Sequence, residues 1–168
     1  MRGRGFSLGG RLRPTREQIR RSDQTCFVSL LTAGGLPLFR NERWAIAFLN
    51  TLERYSREYA LHDFVVMPDQ VHLLLSPHCP LERVVQLIKG GYSFNARRAF
   101  EWKGDIWQAG FSDHRILDEA DWHSHIAYIE KKLASLRTAD YRFCGRAGAV
   151  PLAAVPAWLK PHDRGEQG

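Results

Sequence analysis

Apolar residues along this 168-residue chain fall into blocks whose period alternates between that of a strand and that of a helix. The run Thr25-Cys26-Phe27-Val28-Ser29-Leu30-Leu31 is compact and rich in β-prone residues, and Ala33-Gly34-Gly35 and Pro37 close it, so it predicts a strand. Asn41 is placed to cap a helix in which Trp44, Phe48, Leu49, Leu52, Tyr55 and Tyr59 recur at helical spacing, which carries the predicted helix to about Ala60. Phe64-Val65-Val66-Met67 and Val71-His72-Leu73-Leu74-Leu75 are divided by Pro68-Asp69 and predict adjacent strands or one interrupted hairpin. Leu81, Val84, Val85, Ile88 and Tyr92 mark a second helix whose pattern continues past Gly90-Gly91 towards Phe100. After a Gly104-Asp105 turn, Ile106-Trp107-Gln108 and Phe111 to Leu117 read as a further strand. Asp118 then caps a third helix with Trp122, Ile126, Ile129, Leu133 and Leu136 in one stripe. The order β-α-β-β-α-β plus a terminal helix predicts a ferredoxin-like α+β sandwich, an antiparallel sheet with helices on one face and a late helix added.

Charge refines this picture at one end. Lys and Arg number 24 against 18 Asp and Glu, and the excess is concentrated before the first strand. From Met1 to Arg21 seven arginines, Arg11 and Arg13 among them, face a single acid, Glu17. Such an arm attracts polyanions, phosphate backbones above all, because neutralising them releases condensed counterions. A solvated terminus is the plainer reading, and a transit peptide a third, although the arm lacks a hydrophobic face. The expected organisation is a basic arm over residues 1–22, one domain over 23–145, and a flexible alanine-, proline- and glycine-bearing tail over 146–168. Cys26, Cys79 and Cys144 are odd in number and widely spaced, which argues against a disulfide framework or zinc knuckle. With no apolar run long enough to span a bilayer, the sequence predicts a cytoplasmic protein with no membrane partner.

Two segments carry candidate chemistry. Gln70 and His72 are one residue apart in a strand-like run, so both side chains project from one face, and an amide oxygen with an imidazole nitrogen can hold Mg²⁺ or Mn²⁺ weakly. An ordinary strand histidine is the simpler reading. On the third helix Asp121, His125, Tyr128 and Lys132 fall in one band along the edge of the apolar stripe. Tyr128 is then either a core-edge residue with a wet hydroxyl or a nucleophile, its phenolate stabilised by Lys132 one turn on. Lys89, Arg97 and Arg98 add positive charge to the second helix. Trp107, Phe111, His114 and Arg115 offer stacking or phosphate contacts, with core packing as the competing role for Trp107 and Phe111.

The segments Met67-Pro68-Asp69-Gln70-Val71-His72-Leu73-Leu74-Leu75, Gln86-Leu87-Ile88-Lys89-Gly90-Gly91-Tyr92-Ser93-Phe94, Ile106-Trp107-Gln108-Ala109-Gly110-Phe111-Ser112-Asp113-His114 and Tyr128-Ile129-Glu130 occur in an order that resembles the REP-associated tyrosine transposases, of the single-tyrosine HUH family. The resemblance covers roughly Thr25 to Phe143. It implies a ferredoxin-like fold, a substrate of single-stranded DNA next to a hairpin, and a divalent metal on a strand histidine pair. It also implies a late-helix tyrosine that attacks phosphorus to give a 5′-phosphotyrosine. Gln70 and His72 stand at the pair, Tyr128 at the nucleophile, and Tyr92 matches a non-catalytic segment.

The chain departs from that pattern twice. Gln70 replaces the first histidine, and Lys132 replaces the asparagine that helps to hold metal four residues after the tyrosine; a protonated lysine repels a cation. The leading expectation is therefore a transposase-like single-stranded DNA endonuclease and strand transferase with an altered metal site. Its alternative is a degenerate hairpin-binding protein that has lost cleavage. An RNA-binding ferredoxin-like module is a weaker third, since no aromatic-rich RNP-type strand is present. A monomer or homodimer associated with the nucleoid is expected in either of the first two cases.

Overall fold

The computed structural model describes residues 24–159. Residues of the arm, Arg11 and Arg13 included, and those after 159 lie outside it. Four strands, β1 (Cys26–Leu31), β2 (Tyr59–Val66), β3 (Gln70–Pro77) and β4 (Ser112–Arg115), form one sheet in the order β2-β3-β1-β4. Every neighbouring pair is antiparallel. Helices α1 (Glu42–Arg54) and α2 (Leu81–Phe100) supply the two crossovers, and α3 (Glu119–Ala134) follows β4. This is the ferredoxin-like βαββαβ arrangement that the apolar pattern predicts, with a late helix added.

The sheet is apolar on both faces, which divides the core in two. On the first face Val28, Leu30, Leu73 and Leu75 meet Phe48, Leu52, Ile88 and Tyr92 from α1 and α2. On the second, Phe27, Val65 and Leu74 meet Trp122, Ile129 and Leu133 from α3. A β-bulge between Leu61 and Asp63 shifts the alternation of β2, so that Tyr59 and Leu61 before it and Phe64 and Val66 after it all reach the first core. Gly91 lets the Tyr55 ring, just past the end of α1, approach α2 closely, and a Cβ there would displace that ring.

Three boundaries differ from the expectations. Helix α1 stops at Arg54 rather than near Ala60, because Tyr59 already belongs to β2. Its ring keeps the helical spacing yet is buried from the strand, and its hydroxyl donates to the Leu52 carbonyl near the helix end at 2.6 Å. The fourth strand is only four residues long: Gly110 turns the chain at φ 75°, leaving Trp107 with one isolated bridge to Thr32. Third, residues 146–159, placed in the expected tail, pack back against the domain. Cys144 bridges Val65, the Ala153 amide donates to the Leu61 carbonyl at 2.7 Å, and Val150 and Leu159 are buried, so this segment covers the free edge of β2. Alanine- and proline-rich composition hid these anchors, since each is a tertiary contact. Among the described residues no helix is long and apolar enough to cross a membrane, and Cys26, Cys79 and Cys144 are free thiols.

Candidate active site

The register of the sheet lays out the second face in rows. Leu74, Phe27 and His114 stand side by side, His72, Ser29 and Ser112 form the next row, and Gln70 sits opposite Leu31 at the end. Above these rows runs α3, whose start is set by the Asp118 side chain accepting from the Asp121 amide at 2.8 Å.

His72 is 3% exposed. Its Nδ1 lies 2.7 Å from Ser29 Oγ, and its ring stacks on Phe27 at 5.5 Å between centroids. Tyr128 stands edge-on to both rings, 5.2 Å from His72 and 5.6 Å from Phe27. Burial, with the Lys132 charge adding to it, pushes the His72 pKa down to about 4, so the imidazole is neutral at pH 7. Its Nε2 is buried and has no hydrogen-bond partner among the described residues. Unlike its neighbours, Tyr128 is 39% exposed and borders an open concavity of about 340 Å³ lined also by Phe27, Ser124, His125, Ala127 and Lys131. Tyr92 is a different kind of phenol: fully buried, it donates to the Trp44 carbonyl at 3.0 Å, and burial pushes its pKa up.

The donor set at the strand pair does not fit a tightly held divalent ion. His72 Nε2 is buried and unpartnered among the described residues, but its companion Gln70 is neutral and turns its amide nitrogen towards Met67 Sδ at 3.7 Å. Lys132, where a third ligand would stand, holds its ammonium 5.2 Å from the Tyr128 ring centroid. Two neutral donors beside a fixed positive charge leave nothing to offset the desolvation and repulsion of a dication.

One turn earlier on α3 lies a better set of donors, which the sequence pattern divides between a DNA contact and a helical band. His114 Nε2 is 2.7 Å from Asp121 Oδ2, and His125 Nδ1 is 3.1 Å from Asp121 Oδ1. The two imidazoles stack at 4.8 Å, and the Leu117 amide donates to Asp121 Oδ2 at 2.9 Å. Desolvation works against ionisation of Asp121, but the His114 hydrogen bond, the Leu117 amide and the two histidines outweigh it and hold the carboxyl below its usual range. The signal in the sequence is the i,i+4 pair Asp121/His125 directly after the Asp118 cap; the contribution of His114 from β4 is a long-range pairing.

The basic and aromatic residues assigned to DNA divide between structure and surface. Lys89 donates to the carbonyls of Gln108 and Gly110 at 2.8 and 2.7 Å and pins that loop, and desolvation lowers its pKa. Trp107 is partly buried, its ring packed against Phe39, Phe48 and Tyr92. Phe111 likewise packs against the first core. Arg97 and Arg98 are exposed at the end of α2, where the Arg98 guanidinium lies over Phe94, itself 60% exposed. Phe94 is thus an aromatic surface that the helical spacing did not single out. His114 and Arg115 are exposed on β4, but they point to opposite faces and only His114 adjoins Tyr128's side of the sheet.

A four-stranded antiparallel sheet with a helix-borne tyrosine over a strand histidine is the arrangement that the resemblance implies for a tyrosine transposase domain. The chain belongs to the IS200-like transposase family: the model of that family matches residues 38–132, more than half of its length and including Gln70, His72, Tyr128 and Lys132. Among solved structures it is similar to a REP-associated tyrosine transposase bound to a REP hairpin, with 21% identity, a TM-score of 0.50 and 64% of each chain covered. The likeness therefore spans a little under two thirds of that protein. A putative transposase from Deinococcus radiodurans R1 aligns over 78% of this chain and 96% of its own, at 21% identity and a TM-score of 0.49. Comparison with curated proteins gives no match.

Proposed function

We propose that the protein is a single-stranded DNA endonuclease and strand transferase that acts through Tyr128 on DNA flanking a hairpin. The observation that carries this reading is the position of Tyr128, held edge-on against buried His72 yet open to solvent along a concavity of about 340 Å³. Membership of the IS200-like family and the hairpin bound by a similar structure support the choice of substrate. In the reaction Tyr128 Oη forms a bond to phosphorus as the bond from phosphorus to the 3′ oxygen breaks. The phenol loses its proton, the leaving oxygen gains one, and a 5′-phosphotyrosine with a free 3′-hydroxyl results. Because the phosphoester is kept, a 3′-hydroxyl can reverse the step and rejoin strands without ATP. Positioning supplies much of the rate, and the Lys132 ammonium, 5.2 Å from the ring centroid, offsets the charge that develops on phosphate.

Mg²⁺ or Mn²⁺ on Gln70 and His72 is the expectation that the donor set supports least. That observation favours a second reading, a hairpin-binding protein that no longer cuts. The test is incubation with labelled single-stranded DNA carrying a hairpin from the gene's own flanks, with Mg²⁺ or Mn²⁺, followed by denaturing electrophoresis. The expected result is a protein–DNA adduct from the wild type. No adduct from the wild type, but one from Gln70→His/Lys132→Asn, would establish the binder; failure of both despite tight binding removes the proposed site.

We assign the arm, residues 1–22, to the phosphate backbone and residues 23–145 to the catalytic domain. Deleting residues 1–21 is expected to weaken DNA binding and to flatten its salt dependence, by about 0.7 in log–log slope for each single-strand phosphate that the arm neutralises. An unchanged slope in salt titrations would take the arm out of the interface. The exposed Arg97, Arg98 and Phe94 on α2 offer a second backbone and stacking surface.

A further inference from the structure

We infer that His114, Asp121 and His125 form a binding site for one divalent first-row transition-metal ion, separate from the Gln70–His72 pair. One ligand atom from each of the three residues lies within 4.8 Å of the other two. Donors that share an ion at about 2.0–2.1 Å stand up to about 4 Å apart, so the set closes on a metal with a shift under about 1 Å. The exposed His114 ring, on an edge strand, is free to make that movement.

The chemistry of the set selects the ion. Two imidazoles and one carboxylate suit Zn²⁺, Mn²⁺ or Co²⁺, whereas Mg²⁺ prefers oxygen donors and retains its water. Asp121 is the anchor: its main chain is fixed by the Asp118 cap, and the Leu117 amide already orients one carboxylate oxygen. That hydrogen bond leaves lone pairs for the ion and supplies the outer contact that metal-bound carboxylates commonly have. The His125 Nδ1 also lies 2.8 Å from the Asp121 carbonyl, a bond that metal binding at this nitrogen would replace.

Three protein ligands leave at least one coordination position open, and one carboxylate against a dication leaves the site net positive. His125 and Tyr128 line the same concavity. A phosphate entering beside Tyr128 would therefore meet a cation supplied from the helix turn before it. The ion site itself stands whether or not Tyr128 is a nucleophile, because it is read from the donor atoms alone.

The test is a Co²⁺ titration of the full chain after EDTA treatment and desalting, followed by visible absorption and calorimetry. One equivalent of Co²⁺ should bind, with Mg²⁺ a poor competitor. His114→Ala and Asp121→Asn should each weaken binding at least tenfold while circular dichroism and thermal midpoint show the protein folded; His72→Ala should leave Co²⁺ affinity within twofold. His114 lies on an exposed edge, so its variant decides the matter if Asp121→Asn does not fold. Failure of the wild type to take up stoichiometric Co²⁺ overturns the site. So does binding abolished in His72→Ala and retained in His114→Ala, which would return the ion to the strand pair.

Discussion

Tyr128→Phe is expected to lower formation of the covalent DNA adduct by about 10³-fold or more, the scale on which removing a nucleophile acts, while leaving hairpin binding and stability nearly unchanged. The ring packing on Phe27 and His72 is one that a phenyl group keeps, and the residue is 39% exposed, so the fold is little weakened. The prediction is specific because the other tyrosines are differently placed. Tyr59 and Tyr92 are buried with hydroxyls donated to main-chain carbonyls, and burial raises both pKa values. Tyr55 lies against Gly91 of α2. Tyr141 is as exposed as Tyr128, at 40%, and stands after α3, outside the row of His72 and Phe27. Tyr141→Phe is the control and should form adduct at the wild-type rate. Adduct that survives in Tyr128→Phe, seen by denaturing electrophoresis of labelled DNA, would remove Tyr128 from the reaction.

His72 gives the second large effect, in stability. Its pKa is about 4 in the folded protein against an ordinary 6.5. Between those values the unfolded chain binds a proton that the native state refuses, so stability is full above pH 6.5 and falls as the pH drops towards 4. At about 1.4 kcal/mol per pK unit the loss amounts to roughly 3 kcal/mol across that window. Other groups titrate nearby: burial lowers His62 and adds to the loss, whereas burial raises Asp63 and opposes it. His72→Gln isolates the term, since glutamine still offers Ser29 Oγ a hydrogen bond and cannot charge. Denaturant unfolding in EDTA at pH 7 and pH 4.5 should show the wild type losing about 2–3 kcal/mol more than the variant. Equal losses would mean that the imidazole takes up its proton in the native state.

The two effects arise from one arrangement. A buried, neutral imidazole beside an exposed phenol and an ammonium is a site whose electrostatics are set by burial and by Lys132. In a family recognised partly by a histidine pair, Gln70 changes one ligand, but the sequence alone leaves open whether an amide oxygen could take over. The position of the Lys132 charge near His72 tips the balance away from a metal there. The same helix then presents Asp121 and His125 a turn earlier, where the donors are suited to an ion.

Much of the architecture is legible because it follows from local periodicity. Trp44, Phe48 and Leu52, or Trp122, Ile129 and Leu133, have one reading as helix faces, and Val71 to Leu75 between turn residues has one as a strand. Where expectation and structure part, two periods coincide or a contact comes from far away. Tyr59 fits the spacing of α1 and the start of β2 equally well, and only its burial against the first core decides for the strand. The covering of the β2 edge by residues 144–154 rests on main-chain hydrogen bonds, which composition does not encode. Trp107 reads equally as a surface or a core indole in the sequence, and its packing on Phe48 and Tyr92 comes from segments far away in the chain.

The sequence by itself determined the order of elements, the shared face of Gln70 and His72, the helical band that carries Asp121, His125, Tyr128 and Lys132, and the family resemblance. Each depends on residue identity and on spacings within one element, where covalent geometry fixes the relation between side chains. Only the tertiary structure decided that α3 lies on the second face with Tyr128 over His72, that the imidazole is buried deeply enough to stay neutral, and that His114 joins Asp121 and His125. Those relations join β1, β3, β4 and α3 across long sequence separations. They are set by strand register and by which apolar faces close on one another, neither of which any single segment specifies.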